Sequence, residues 1–181
     1  MTHEQIAMVL SLVGMVVNIF SYQARKKTTI LIMQSVGSSV YLASYVFSGG
    51  GMGVCLNVIY LIRNFLYTRI DGKSRKFRVG VCYALCASYL LTYAVYTTLM
   101  GLPLAANLWN VLPIIGSVFG TVATLQTVLL RFHFFKIGDC VSWFAYNCHI
   151  GLGAIGGIVG TILNSISILV AIWRIKREEK E

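Results

Sequence analysis

Residues 109–129 have the sequence WNVLPIIGSVFGTVATLQTVL, a run of 21 residues without a charged side chain. A helix needs about 20 apolar residues to cross the hydrocarbon core of a bilayer, so this run predicts a membrane-spanning helix. The composition agrees, since 57% of the 181 residues are apolar and only 12% are charged. Soluble domains are roughly 45–50% apolar and 25% charged. The mean hydropathy of +0.75 therefore excludes a soluble domain and predicts an integral membrane protein.

Six similar runs lie on either side of this one. We expect seven spans, at about 6–22, 28–48, 52–68, 79–99, 109–129, 137–152 and 155–173. Seven spans of about 20 residues take up roughly 140 residues. The chain is thus predicted to form a single transmembrane domain over residues 1–181.

The basic residues predict the orientation of the spans. Fourteen of the fifteen Lys and Arg residues fall in alternate inter-span segments, namely 23–27, 69–78, 130–136 and the tail from Arg174. Cationic segments stay in the cytoplasm, which predicts a multi-pass protein of the plasma membrane with its N-terminus outside and its C-terminus inside. The cations are expected to contact anionic lipid headgroups of the bilayer, and no nucleic-acid partner is predicted.

The two halves of the sequence match each other. At an offset of 102, and of 107 after a five-residue gap, the matches are Gly14/Gly116, Tyr41/Trp143, Ala43/Ala145, Gly49/Gly151, Gly51/Gly153, Leu56-Asn57/Leu163-Asn164 and Ile59/Ile166. We predict an all-α membrane protein whose seven transmembrane helices form two three-helix repeats, at about 5–68 and 108–173, with a linker helix at about 79–99 and a cytoplasmic tail at 174–181. One linker span keeps the repeats parallel, which is the 3+1+3 layout of SWEET transporters.

Several short motifs resemble those of the YgjV family of bacterial inner membrane proteins. They are Gln34-Ser-Val, Leu56-Asn57, Leu112-Pro-Ile-Ile-Gly-Ser, Val141-Ser-Trp-Phe and Ile172-Trp173-Arg174. The resemblance covers nearly the whole chain and implies a protein of the bacterial inner membrane. The layout is also similar to that of SWEET, PQ-loop and PnuC-type transporters, a likeness of fold that identifies no site.

The likeness to SWEET transporters implies a solute pocket lined by an Asn from each third helix and an aromatic side chain from each second helix. The matching residues are Asn57, Asn164, Tyr41 and Trp143. A buried carboxamide needs hydrogen-bond partners, so both Asn side chains are expected to face the bundle interior. The alternative is that each Asn bonds a neighbouring backbone group and the aromatic residues are core.

Around Asn57, helical spacing predicts a polar stripe that also contains Tyr60 and Asn64, with Arg63 beside it. Arg63 has two interpretations, because its side chain can extend along the helix to the headgroups or anchor a solute at the cytoplasmic end of the path.

Asp139 is expected to cap the sixth span at its N-terminus, with an ion pair to Lys136 as the alternative. These interpretations place no acidic residue at mid-membrane, so no carboxylate proton relay is predicted.

The sequence contains no HExxH, GxSxG or Walker motif, and its five Cys residues form no CxxC pair. We therefore expect no enzyme, cofactor or metal. Two functions are consistent with these patterns. The first is a transporter or facilitator for a small polar solute, and the second is a non-transporting assembly partner, lipid-interacting protein or sensor. Assembly into a homo-oligomer is compatible with both.

Overall fold

The computed structural model describes residues 2–101 and 108–178, and these residues are almost entirely helical. Within them, the chain forms seven α-helices: α1 (His3–Ser21), α2 (Lys27–Ser48), α3 (Gly51–Ile70), α4 (Arg75–Leu99), α5 (Leu108–Leu125), α6 (Leu129–Ile150) and α7 (Ile155–Glu178). A 3₁₀ turn over Leu152–Ala154 precedes α7. The all-α class predicted from the sequence is confirmed.

Local sequence accounts for several helix ends. The side chain of Thr2 accepts a hydrogen bond from the backbone of Gln5, and Gln5 returns the bond to the backbone of Thr2, which forms a capping box at the start of α1. Gly49 and Gly151 end α2 and α6 with φ angles of 73° and 87°. Residues with a side chain rarely adopt this left-handed region, so glycine is the suitable residue at both turns.

Four of the helices in the described part of the chain are long and apolar enough to cross a membrane, namely α1, α2, α4 and α7. The apolar part of α5, Trp109–Leu125, is slightly shorter. Large apolar side chains project outward from the bundle, for example Leu91 and Leu99 of α4, which are 65% and 80% exposed. An apolar outer surface of this kind suits contact with lipid and agrees with a membrane protein.

Six of the helices pack in two groups of three. In the first group, α2 packs against both α1 and α3, and in the second group, α6 packs against both α5 and α7. The groups meet where α1 packs against α7 and where α3 packs against α5. Helix α4 packs chiefly against α3 and α5. A central region bounded by both groups results from this arrangement.

A polar layer separates two apolar clusters along α3. Leu56 belongs to the cluster nearer the start of the helix, and Tyr67 belongs to the cluster nearer its end. Between them lie the buried polar residues Asn57, Tyr60 and Arg63. Buried polar groups require partners or a ligand, so this layer is where a functional site is expected.

Two predicted boundaries need correction. The predicted connector 130–136 lies inside α6, which begins at Leu129. Its cations indicated a loop in the sequence, whereas the charge of Lys136 is accommodated within the bundle by an ion pair. The predicted tail 174–181 is helical as far as Glu178. Of the predicted outer segment 100–108, residues 102–107 lie outside the described part, as do residues 179–181 of the tail.

Candidate functional site

A cavity of about 80 Å³, with many polar side chains in its wall, lies between the two helix groups. Its wall consists of Asn18, Tyr22, Ser38, Tyr41, Tyr45, Asn57 and Tyr60 from the first group and Lys136, Asp139, Cys140, Trp143, Asn147, Gly157, Thr161 and Asn164 from the second. A water molecule takes about 30 Å³ in the liquid, and ligand pockets usually measure roughly 300–1,000 Å³. The cavity in this conformation therefore accommodates a small polar molecule or a few waters.

Five of the seven residues that the sequence predicted for a solute site line this cavity. They are Asn57, Asn164, Tyr41, Trp143 and Tyr60. The other two, Arg63 and Asn64, are fully buried behind the cavity wall, at 0% exposure. The structure thus brings the predicted residues together, and the first five can contact a solute in the cavity directly.

The two Asn side chains differ in their bonding. Asn57 Nδ2 donates to the carbonyl of Gly53 at 2.8 Å. This bond spans one turn of α3 and connects no second helix. Asn164 Oδ1 is buried and has no hydrogen-bond partner among the described residues. An unpartnered amide oxygen beside a cavity favours contact with water or a ligand, since buried polar atoms are rarely left unpaired.

Aromatic rings form one side of the cavity. The ring centroids of Tyr45 and Trp143 are 6.1 Å apart, and those of Tyr41 and Tyr45 are 6.5 Å apart. The hydroxyl of Tyr45 donates to Asn147 Oδ1 at 2.6 Å. Because Tyr45 and Asn147 also lie 102 positions apart, this hydrogen bond joins corresponding positions of the two helix groups.

The sequence prediction did not include Tyr45 and Asn147. A signal for them was present, since each lies one helical turn beyond the predicted aromatic residue of its second helix, Tyr41 or Trp143. The same offset of 102 relates Ser38 to Cys140, and both of these residues line the cavity as well. Following the repeat along one face of each second helix identifies all three pairs.

A buried charge cluster adjoins the cavity. Lys136 and Arg63 are 0% exposed and Asp139 is 5% exposed. Lys136 forms an ion pair with Asp139 and donates to the hydroxyl of Tyr60 at 3.1 Å. The Tyr60 hydroxyl donates in turn to Gln34 Oε1 at 2.9 Å. The proton of Tyr60 is therefore directed to Gln34, which leaves its oxygen free to accept from the ammonium group.

Arg63 occupies the other side of Tyr60. Its guanidinium carbon lies 3.8 Å from the centroid of the Tyr60 ring, a cation–π arrangement. Its Nε and Nη2 atoms donate to Asn64 Oδ1 at 3.2 and 3.1 Å. Nη1 has no hydrogen-bond partner among the described residues. The guanidinium group is thus bound to neutral groups only.

These contacts correct the sequence interpretations of Arg63 and Asp139. Arg63 does not extend to the headgroups, because its side chain turns inward onto the ring of Tyr60. Asp139 does not cap a helix, because α6 begins ten residues earlier at Leu129, and the alternative ion pair with Lys136 is present. Asp139 was also expected at a helix end, whereas its carboxylate is buried within the bundle at 5% exposure.

Glycines create the space that the charged groups occupy. A Cβ atom on Gly120 of α5 would lie 2.6 Å from Arg63 Nη1 and 2.9 Å from Asp139 Oδ2. A Cβ atom on Gly37 of α2 would likewise lie 2.7 Å from Asn18 Oδ1. A residue with a Cβ atom at either position would force these side-chain ends to shift, because Cβ contacts below 3.0 Å are essentially never observed.

A second ionic cluster closes the end of the bundle that carries the basic connectors. Lys27 Nζ lies 2.6 Å from Asp71 Oδ1 and 3.1 Å from the carbonyl oxygen of Gln126. Arg78 Nη1 lies 3.5 Å from the same Asp71 oxygen. The cluster therefore ties the start of α2 to the α3–α4 and α5–α6 connectors.

The helices present apolar side chains outward and enclose a cavity with polar side chains in its wall. These features are those of a multi-helix integral membrane protein. The sequence model of the Imp-YgjV family, described as bacterial inner membrane proteins, matches residues 5–179. The chain belongs to this family, as the sequence motifs predicted, and its location is the bacterial inner membrane. Neither the curated proteins nor the solved structures contain a significant match to this chain.

Proposed function

We propose that this protein is a transporter or facilitator for a small polar solute and that the solute occupies the central cavity. The observation that carries the proposal is the cavity itself, whose wall includes Asn57 and Asn164 from the two third helices and Tyr41 and Trp143 from the two second helices. A concave site with a few converging polar groups is the usual form of a ligand site. The proposal includes no enzymatic step, no cofactor and no metal.

In this proposal, all seven helices cross the membrane and the two helix groups are parallel repeats of the 3+1+3 layout, with α4 as the linker. The packing supports the repeat. If α1, α2 and α3 correspond to α5, α6 and α7, then the contact between α1 and α7 corresponds to the contact between α5 and α3, and both contacts are present. Side-chain contacts support it too, since a Cβ atom on Gly14 would touch Tyr41 and one on the matching Gly116 would touch the matching Trp143.

In this proposal the N-terminus lies outside and the C-terminus lies in the cytoplasm, an orientation supported by the basic residues of 23–27, 69–78 and the C-terminal end from Arg174. Single cysteines introduced into a cysteine-free protein, within 69–78 and within 100–108, are the test in intact cells. An impermeant maleimide is expected to label the second segment from outside and the first only after the cells are permeabilised. Labelling of both segments from the same side contradicts the orientation and the proposed number of spans.

A double-mutant cycle tests the pocket. Thermal unfolding of the purified protein is measured with glucose, glycerol, urea, acetamide and sodium acetate for the parent, Asn57→Ala, Asn164→Ala and the double variant. If both amides contact one solute, each single substitution removes most of the stabilisation by that solute and the second adds little. Ser39→Ala is a matched control, because its hydroxyl bonds only its own helix at Ser35.

The alternative function is a non-transporting membrane protein that acts as an assembly partner, lipid-interacting protein or sensor. The small volume of the cavity, about 80 Å³, favours this alternative, as does the bond of Asn57 to its own helix. The alternative function predicts that no probe raises the melting temperature. It also predicts that each Asn substitution lowers the free energy of unfolding by roughly 0.6 kcal/mol and that the two losses are additive.

Movement of the solute across the bilayer needs a separate measurement. Proteoliposomes are mixed rapidly with the probe that stabilises the protein, and entry is followed by light scattering as the vesicles swell. Faster entry than in protein-free liposomes, and its loss in the double Asn variant, supports a transporter. Binding without faster entry supports a sensor.

A further inference from the structure

The buried charge cluster contains more positive than negative charge. Arg63 and Lys136 are each fully buried, and Asp139 is the carboxylate beside them. The remaining five acidic residues of the sequence lie outside the polar layer along the chain, at the start of α1, at the C-terminal end and at Asp71 of the α3–α4 connector, where Asp71 pairs with Lys27 and Arg78. Two cations therefore share one carboxylate, and the cluster carries a net charge of about +1.

The geometry shows which cation lacks a hydrogen bond to the carboxylate. Asp139 Oδ2 is bonded to the ammonium group of Lys136, whereas Arg63 bonds the neutral amide of Asn64. An arginine keeps its proton in proteins, so it cannot lose the excess charge by deprotonation. A buried charge without a partner is strongly unfavourable, and a bound anion is the direct remedy.

We propose that the solute of the cavity is a small monovalent anion, an inference that rests on the proposed function. Lys136 lines the cavity, and two of its three ammonium protons are directed to Asp139 and Tyr60. The third proton is available to an anion in the cavity, as is the second amide proton of Asn57, whose first bonds Gly53.

Arg63 is placed to donate a hydrogen bond to the carboxylate of Asp139 when the anion attracts Lys136. A single Cβ atom on Gly120 would contact both Arg63 Nη1, at 2.6 Å, and Asp139 Oδ2, at 2.9 Å, so the two groups border the same small space. Arg63 Nη1 has no partner among the described residues. The anion then pairs with Lys136 and the carboxylate with Arg63, which leaves the cluster neutral.

The size of the cavity limits the anion. A volume of about 80 Å³ is small beside the roughly 300–1,000 Å³ of usual ligand pockets. Formate, nitrate and acetate are compact enough to test the cavity, and gluconate serves as the bulkier reference anion.

The test is thermal unfolding of the purified protein in sodium gluconate, with formate, nitrate or acetate replacing gluconate at constant ionic strength. Constant ionic strength keeps the screening of surface charges equal. Saturable stabilisation by the small anions is expected, and none by the neutral analogues formamide and acetamide. Lys136→Met should weaken the apparent affinity roughly tenfold or more, since a hydrogen bond to a charged group is lost. Lys26→Met, an exposed cation in the α1–α2 connector, should leave the affinity unchanged.

Asn164→Asp is the second variant, in case Lys136→Met fails to fold. It adds a fixed carboxylate to the cavity wall with little change in size. The proposal expects this variant to melt at a higher temperature than the parent in gluconate and to lose its response to formate.

Two results contradict the anion proposal, and they have different consequences for the proposed function. If formamide or acetamide stabilises as well as formate or acetate and Asn57→Ala abolishes the effect, the pocket stands and its solute is neutral. If no probe stabilises the parent and Asn164→Asp melts at a lower temperature, the proposed function fails together with the anion.

Discussion

Substitution of Gly120 by alanine tests whether the space beside Arg63 is as tight as the structure indicates. The new Cβ atom would lie 2.6 Å from Arg63 Nη1 and 2.9 Å from Asp139 Oδ2. The guanidinium group cannot move away easily, because it is fully buried and the Tyr60 ring lies 3.8 Å from its carbon. Overpacking of this kind costs about 1–3 kcal/mol, against a gain of up to about 1 kcal/mol in helix propensity.

Gly80 of α4 provides the matched control. It is exposed, and no described atom lies within 4 Å of a Cβ atom built on it. Gly80→Ala should therefore gain helix propensity alone, so Gly120→Ala should be less stable than Gly80→Ala by about 1–3 kcal/mol. Unfolding in mixed detergent micelles, followed by circular dichroism, measures both free energies.

A double-mutant cycle assigns the cost to the guanidinium group. In an Arg63→Met background the flexible, uncharged side chain can yield, and most of the penalty of Gly120→Ala should disappear. Equal stabilisation by Gly120→Ala and Gly80→Ala in the parent background would refute the close packing of Arg63 and Asp139 around Gly120.

Three further substitutions test polar contacts between the helices. Tyr45→Phe removes the 2.6 Å hydrogen bond to Asn147 and leaves a buried amide oxygen unpaired, which should cost about 1–3 kcal/mol in the same unfolding assay; no loss of stability would show that the bond across the groups is not formed. Asp71→Asn removes the carboxylate bonded to Lys27, and a loss of about 1–2 kcal/mol is expected because Lys27 is only 10% exposed. Glu178→Gln breaks the exposed ion pair with Arg25 and should cost less than about 0.5 kcal/mol. Equal losses of stability for Asp71→Asn and Glu178→Gln would contradict the expected difference between a largely buried and an exposed ion pair.

Hydropathy alone predicted most of the helices, because an apolar run of about 20 residues has few alternatives to a helix in a membrane. The start of α6 was misplaced for a physical reason. Arg131 and Lys136 indicate a solvated connector when only neighbours in sequence are considered. The groups that allow Lys136 inside the bundle include the hydroxyl of Tyr60 on α3, 76 positions away. Local composition carries no information about such a partner.

The internal repeat of the sequence predicted part of the candidate site. The offset of 102 located Tyr41 and Trp143 on the second helices, and the Leu-Asn pair located Asn57 and Asn164 on the third. The charge cluster was not predictable in the same way, because it departs from the repeat. Arg63 in particular turns inward by virtue of the Tyr60 ring on its own helix, and spacing alone cannot distinguish this direction from the outward one.

The Lys136–Asp139 ion pair makes the two walls of the cavity electrically unequal. The positions 102 residues earlier are Gln34 and Gly37, which carry no charge. Asn18 fills the space beside Gly37, while its counterpart Gly120 leaves space for Asp139 and Arg63. The halves thus differ in side-chain bulk at these positions, and the charged groups do not follow the repeat, since Lys136 and Asp139 belong to α6 and Arg63 belongs to α3. A guest with distinct ends would therefore meet different groups at the two walls of the cavity.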